Sequence, residues 1–266
     1  MVNVLDDLAL AHRIADDADA LTLARFRASD LRIDHKADHS EVTDADLAVE
    51  DAARRIVAAA RPGDAVHGEE RADTGSGPRR WIIDPIDGTA NYARGVPVWA
   101  TLIALAEGDE VVASVVSAPA LHRRWWAARG HGAWAGGPCV DEGSPIHVST
   151  VSDLREAFLS YSSLHGWDES DRGDEFAKLM ATVWRTRAFG DFWSYMLVAE
   201  GVVDLAAEPE LNLHDMAALD VIVREAGGTF TTVAGQPGPW GPDALASNGL
   251  LHEQAMTILG SGAHTA

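Results

Sequence analysis

Cysteine is nearly missing from this 266-residue chain: Cys139 stands alone, so no disulfide can form within it and nothing in the residue usage asks for an oxidising compartment. Its ordinary role is that of a small buried or loop residue. Long apolar runs are missing too, since none approaches the ~18 residues that a membrane-crossing helix needs. The first twenty residues carry acids where a secretory leader carries basic charge, which points to a cytoplasmic protein. Basic residues are scarce, 21 against 41 acidic ones, and the formal charge of -20 repels nucleic acid, anionic membrane and any phosphorylated small molecule alike. Phosphate chemistry on such a chain has to be rescued locally by metal ions.

What is present is the composition of a packed protein, 47% hydrophobic and 23% charged, long enough for one large or two modest domains. The chain is organised around Trp81-Ile82-Ile83-Asp84-Pro85-Ile86-Asp87-Gly88-Thr89-Ala90-Asn91, where two carboxylates follow an apolar strand at the start of a Pro/Gly turn. A charge carried into a core costs several kcal/mol unless a cation or donors meet it. Asp84 and Asp87, with the carbonyl of Ile86 between them, form a hard-oxygen set suited to magnesium. Gly88 permits close backbone approach, and its amide with that of Thr89 can point at an anion. Asp, Pro, Gly and Asn are also ordinary turn formers, so the short pattern alone reads equally well as a turn.

Along the chain, Leu10, Ile14, Ala18 and Leu21 predict an amphipathic helix from about Val4 to Phe26. Leu31 to Lys36 reads as a short strand and Asp38-His39-Ser40-Glu41 as a mobile loop. Thr43 to Asp46 opens a helix, with Thr43 as its cap and Asp46 favouring the positive end of the dipole. Ala65-Val66-His67 is a strand running into Gly68-Glu69-Glu70, His67 being a strand side chain. Val98 to Ala106 and Val111 to Ser117 form a hairpin, followed by Arg123 to Ala128 and Ala133-Trp134. Trp125, Trp126 and Trp134 belong to core or interface.

Gly143-Ser144-Pro145 marks a division between an N-terminal half, 1–142, and a C-terminal half, 143–266, of one unit. The second half alternates Ala157 to Tyr161, Glu175 to Val183, Arg185 to Phe189, a helix after Gly190-Asp191, Val203 to Ala206, a helix from Leu213 ended by Gly227-Gly228, Thr229 to Val233, Ala244 to Ser247 and His252 to Leu259. Such alternation argues α/β layers. Ser162 to Asp174 is expected as a polar loop carrying His165 and Trp167, and Glu208 in the loop after its strand. Asp191 and Asp215 each read as helix caps or as site residues.

The full string W-I-I-D-P-I-D-G-T-A-N-Y resembles the first signature of the inositol monophosphatase family, magnesium-dependent phosphomonoesterases. The run from Asp215 through Ala218 and Val223 to Glu225-Ala226-Gly227-Gly228, about 130 residues on, resembles the second. Val42-Thr43-x-x-Asp46 and Gly68-Glu69-Glu70 match supporting motifs in the expected order. The resemblance implies an α-β-α-β-α sandwich and a homodimer. It implies metal binding by Glu69, Asp84, Ile86, Asp87 and Asp215, with two or three magnesium ions offsetting these charges and the phosphate. Thr89, paired with Asp46 and helped by Glu69, would direct water at phosphorus while Gly88 and Thr89 hold the phosphate oxygens. Glu208 falls at the position that touches the substrate's hydroxyls. The segment F-G-D-F-W-S-Y, with Asp191, resembles the histidinol-phosphate phosphatase branch, and a carboxylate pair beside aromatics suits a substrate with an ammonium and an imidazole better than a polyol. An inositol or broad sugar monophosphatase, and a regulatory member that binds phosphate without turnover, are the alternatives.

Overall fold

The computed structural model describes residues 3–36, 40–137 and 143–260, so that Cys139 and the Asp38-His39 part of the expected loop lie outside the described residues. In chain order its elements are α1 (Val4–Arg25), β1 (Ile33–His35), β2 (Glu41–Thr43), α2 (Asp44–Ala60), β3 (Ala65–Gly68), β4 (Arg79–Asp87), α3 (Thr89–Ala93), β5 (Ala100–Glu107), β6 (Glu110–Ala118), β7 (Arg123–Ala128), β8 (Ala133–Gly136) and β9 (Ser144–Ile146). They continue as β10 (Phe158–Ser160), α4 (Leu164–Glu169), α5 (Gly173–Thr182), β11 (Arg185–Arg187), α6 (Asp191–Ala199), β12 (Leu205–Glu208), α7 (Leu213–Glu225), β13 (Thr229–Thr231), β14 (Ala244–Ser247) and α8 (His252–Leu259). No described helix is long and apolar enough to cross a membrane.

Strands β3 to β9 form a seven-stranded sheet in sequence order, antiparallel except for the parallel β3–β4 pair. A five-stranded sheet runs β11-β10-β12-β14-β13, parallel through β11-β10-β12 and antiparallel beyond. The parallel pairs of this second sheet are joined by helical crossovers, α4 and α5 between β10 and β11 and α6 between β11 and β12. The first sheet takes its last strand from residues 144–146.

Alternation along each strand builds the layers. On one face of the first sheet Trp81, Ile83, Ile103, Leu105 and Val115 pack against Leu10 and Ile14 of α1 and Val57 of α2. On the other face Ile82, Leu102, Ala104 and Val116 meet Met196 of α6, Leu219, Ile222 and Val223 of α7, and Ala206 and Ala246 of the second sheet. The far face of that sheet, with Leu159, Leu205 and Leu245, is covered by Trp167 of α4, Phe176 and Leu179 of α5, and Leu259 of α8. Helices, sheet, helices, sheet, helices: the order is α-β-α-β-α. Buried apolar area stabilises at roughly 25 cal/mol per Å², and the middle layer packs Met196 of α6 and Leu219 of α7 into one cluster with Ile82 of β4.

Several expectations change in detail. The strand at 31–36 is shorter, Ile33–His35, and Glu41 already belongs to the paired β2. Ser162 to Asp174 is no simple polar loop: it holds α4 and the start of α5, and Trp167 is core, stacked on Phe176 with ring centroids 4.2 Å apart. A buried aromatic outweighed the polar composition around it. The backbone does not turn at Pro85 but stays in β4 to Asp87, and Glu208 ends β12 instead of lying beyond it.

Candidate active site

Two acids three residues apart on a regular strand face opposite sides of the sheet. Here they do not, because β4 is irregular where the acids lie: Asp84 pairs with Leu102 and Asp87 with Ala100, so Pro85 and Ile86 stand opposite Thr101 alone. The extra residue of this bulge turns Asp87 to the side of Asp84. Proline is tolerated there, and Thr101 Oγ1 donates to the Pro85 carbonyl at 2.8 Å. The chain then turns at Gly88, whose φ of 82° suits glycine, and α3 begins at Thr89.

Asp215, in the first turn of α7, completes the cluster: one oxygen from each of Asp84, Asp87 and Asp215 lies within 4.8 Å of the others. Burial drives all three carboxyls above the ordinary range; charges within the cluster add to this for Asp84 and Asp87, while for Asp215 the nearby Asp84 acts the other way, as a hydrogen-bond partner that lowers it. For Asp84 the neighbouring Glu69 is the next contributor. Asp84 Oδ1 is buried without a hydrogen-bond partner among the described residues. An orphaned, buried carboxylate oxygen inside a converging acid triad is what a hard divalent cation satisfies, so the residues present fit such an ion.

Helix starts hold the acids while leaving oxygen for the site. Asp46 Oδ2 accepts from Thr43 N at 2.9 Å and from Thr43 Oγ1 at 2.5 Å, closing a capping box, while Oδ1 faces Thr89 Oγ1 at 3.4 Å. One carboxylate thus closes the cap with one oxygen and reaches Thr89 with the other. Burial pushes Asp46 up to about 7. The Thr89 hydroxyl donates more closely to the Ile86 carbonyl, at 2.8 Å. Asp215 Oδ2 accepts from Asn212 N at 2.6 Å, and Asp87 Oδ2 from Phe192 N at 2.8 Å in the first turn of α6.

Glu69 is outside the three converging carboxylates but is the strongest charge acting on Asp84; its Oε1 bonds Lys36 Nζ at 2.6 Å, and the same ammonium meets Glu70 at 2.7 Å. Residue usage held a clue to Lys36, one of only two lysines in the chain. His67 bonds Asp73 at 2.8 Å and lies 6.1 Å from the His214 ring, outside the acid cluster.

Asp191 does not cap its helix. Its amide donates to Ser162 Oγ at 2.7 Å, and its Oδ2 accepts from Asn91 Nδ2 at 3.0 Å. Its φ of 46° is uncommon for a non-glycine residue and is best tolerated by Asp and Asn. Burial, with Asp215 next, pushes its carboxyl up to about 6. Glu208 is buried, accepts from Ser162 N at 2.5 Å, and is pushed by burial up to about 8. Gly88, Thr89, Asn91, Ser162, Phe189 and Asp191 line a mouth of about 610 Å³; behind it a space of about 190 Å³ is bounded by Asp87, Tyr195, Glu208 and Asp215. Asn91 and Ser162 were not singled out from sequence, because the contacts that matter reach 100 and 29 residues away.

Comparison with known proteins gives a consistent result. The family profile described as inositol monophosphatase family matches residues 6–262. A Streptomyces coelicolor protein named histidinol-phosphatase is 57% identical over 263 residues, 97% of this chain and 98% of the relative. A Mycobacterium tuberculosis protein of the same name is 56% identical over 261 residues, 97% and 99% of the two chains. Among solved structures, an inositol monophosphatase from Zymomonas mobilis superposes with a TM-score of 0.85 at 33% identity, covering 98% of this chain and 100% of that one. One from Anabaena gives 0.83 at 26%, covering 98% and 97%.

Proposed function

The chain belongs to the inositol monophosphatase family, and on that footing we propose that it is a histidinol-phosphatase, hydrolysing L-histidinol phosphate to L-histidinol and phosphate as a magnesium-dependent cytoplasmic homodimer. The observation that carries the phosphatase reading is the Asp84, Asp87 and Asp215 convergence around an orphaned oxygen. The substrate reading is supported by Asp191 and Glu208 beside one cavity, and by the names of the two relatives above 50% identity.

Asp84, Asp87 and Asp215, with the Ile86 carbonyl and Glu69, are the groups that would hold magnesium. When bound it offsets the acids and the phosphate and lowers the pKa of water beside it. The chain's own residues supply the rest. Thr89 orients the attacking water and passes its proton toward Asp46, whose raised pKa suits it to receive one near neutral pH. The hydroxyl leaves Ile86 for Asp46 in doing so. The amides of Gly88 and Thr89 hold the phosphate oxygens in line for attack. Asp191, steadied by Asn91, meets the ammonium or imidazole of the substrate, and Glu208 closes the far end of the cavity.

The test is phosphate release from histidinol phosphate, myo-inositol 1-phosphate and fructose 1,6-bisphosphate, with and without MgCl2. Strong preference for histidinol phosphate, dependent on magnesium, is expected. Comparable turnover of inositol phosphate would return the assignment to a broad monophosphatase, and no release from any ester would leave a phosphate-binding regulator.

A further inference from the structure

Glu50 takes no part in the chemistry above, yet it is a carboxylate with no solvent exposure. It lies on α2, about one turn beyond Asp46. Its Oε2 accepts from Glu70 N at 2.7 Å and its Oε1 from Arg71 N at 3.1 Å. Arg54, four residues on, supplies the countercharge through Nε at 2.8 Å and Nη2 at 2.7 Å. The same guanidinium donates to the Arg71 carbonyl at 3.2 Å and to Thr74 Oγ1 at 3.1 Å.

Gly68 is fitted to this carboxylate. A Cβ at residue 68 would lie 2.2 Å from Glu50 Oε1 and 2.5 Å from Cδ, so the glycine is there for room. Strand β3 ends at Gly68, opposite Ile83. Beyond it the amides of residues 70 and 71 have no strand partner, and the Glu50 carboxylate is the acceptor that each of them finds.

We infer that Glu50 is a positioning residue for Glu69: by accepting the two amides that follow, it fixes the backbone on which Glu69 faces the acid cluster. Glu69 is held on one side by the β3–β4 ladder and on the other by the Glu50 carboxylate. The backbone direction at residue 69 is therefore set by a residue that touches neither ion nor substrate, while Lys36 meets the carboxylate itself. The inference rests on the reading of Glu69 as a magnesium ligand.

The experiment measures Mn2+ affinity of the full-length protein without substrate, counting free ion by electron paramagnetic resonance, beside the thermal midpoint of the metal-free protein. Glu50→Gln keeps the shape but turns an amide donor toward a backbone donor. Loss of such a supporting partner weakens metal binding by about 10- to 100-fold, and that loss is expected here. Gly68→Ala, which drives the carboxylate away, should do the same, and the double variant should be no worse than the weaker single one. Should Glu50→Gln fail to fold, Gly68→Ala alone decides. A lowered midpoint with Mn2+ affinity unchanged in the folded variants would overturn the inference and leave Glu50 a structural residue. Glu69→Gln separates the two readings: unchanged affinity there defeats the ligand assignment, whereas weakened affinity there with none in Glu50→Gln defeats the positioning role alone.

Discussion

Asn91 Nδ2 donates to Asp191 Oδ2 at 3.0 Å, across 100 residues of sequence. The same amide nitrogen donates to the Val98 carbonyl at 3.0 Å, so Asn91 is itself held and cannot follow the carboxylate if it moves. Gly88 leaves the space that Asp191 enters, since a Cβ there would sit 3.1 Å from the same carboxylate oxygen. The first signature therefore presents its acids and also steadies an acid from the other half of the chain.

Asp191→Asn should change selectivity more than stability. Asn accepts the same positive φ, so the backbone is not strained. If the carboxylate meets a substrate cation, its loss removes a charge-assisted hydrogen bond worth roughly 1.5–3 kcal/mol, about 10- to 150-fold in kcat/KM for histidinol phosphate. Inositol phosphate, which carries no cation, should lose little or gain. Equal losses on both substrates would overturn the recognition role.

Thr89→Ala should lower kcat by about 10²- to 10⁴-fold with a small change in KM if, as proposed, the hydroxyl acts on the water in the transition state. Thr89→Ser should recover most of it. An equal rise in KM would make Thr89 a phosphate clamp instead.

Asp84→Asn should abolish magnesium-dependent turnover and yet stabilise the metal-free protein. The native carboxylate is buried with an unpartnered oxygen and faces Glu69, Asp87 and Asp215, all of which penalise its charge. Melting curves with and without MgCl2 check both parts: a higher midpoint without metal and a smaller rise on adding it. Unaltered turnover would remove Asp84 from the ligand set.

The metal-free protein should lose stability as pH rises. Glu208 is lifted from 4.5 to about 8, Asp46 from 3.8 to about 7 and Asp191 from 3.8 to about 6, in each case chiefly by burial. A raised folded-state pKa contributes stability that is full below the unfolded value and is lost as pH climbs through the folded one. The decline thus spans about pH 4 to 8, and Glu208→Gln should flatten its upper part. Denaturant midpoints across that range measure it, and a flat wild-type profile would contradict the burial of these acids.

Much of the layered fold and the acid set was legible in the chain itself. Periodicity marked α1 because it buries one continuous face, and β5 and β6 stood out as unbroken apolar runs joined by a polar turn because both of their faces are covered. The resemblance to two signatures pointed to Asp84, Asp87 and Asp215, where position alone left Asp215 equally readable as a helix cap. Tertiary structure alone decided the rest. The bulge in β4, which brings Asp84 and Asp87 to one side, is a matter of register against β5, and register exists only once two strands pair. Lys36 on Glu69, Asn91 on Asp191 and Glu50 beneath residues 70 and 71 are contacts between segments far apart in sequence, and no local periodicity encodes a distant partner. Whether Asp46 caps a helix or serves the site could not be read from spacing either, because a carboxylate has two oxygens, and only the packing of α2 beside α3 lets it use one for each.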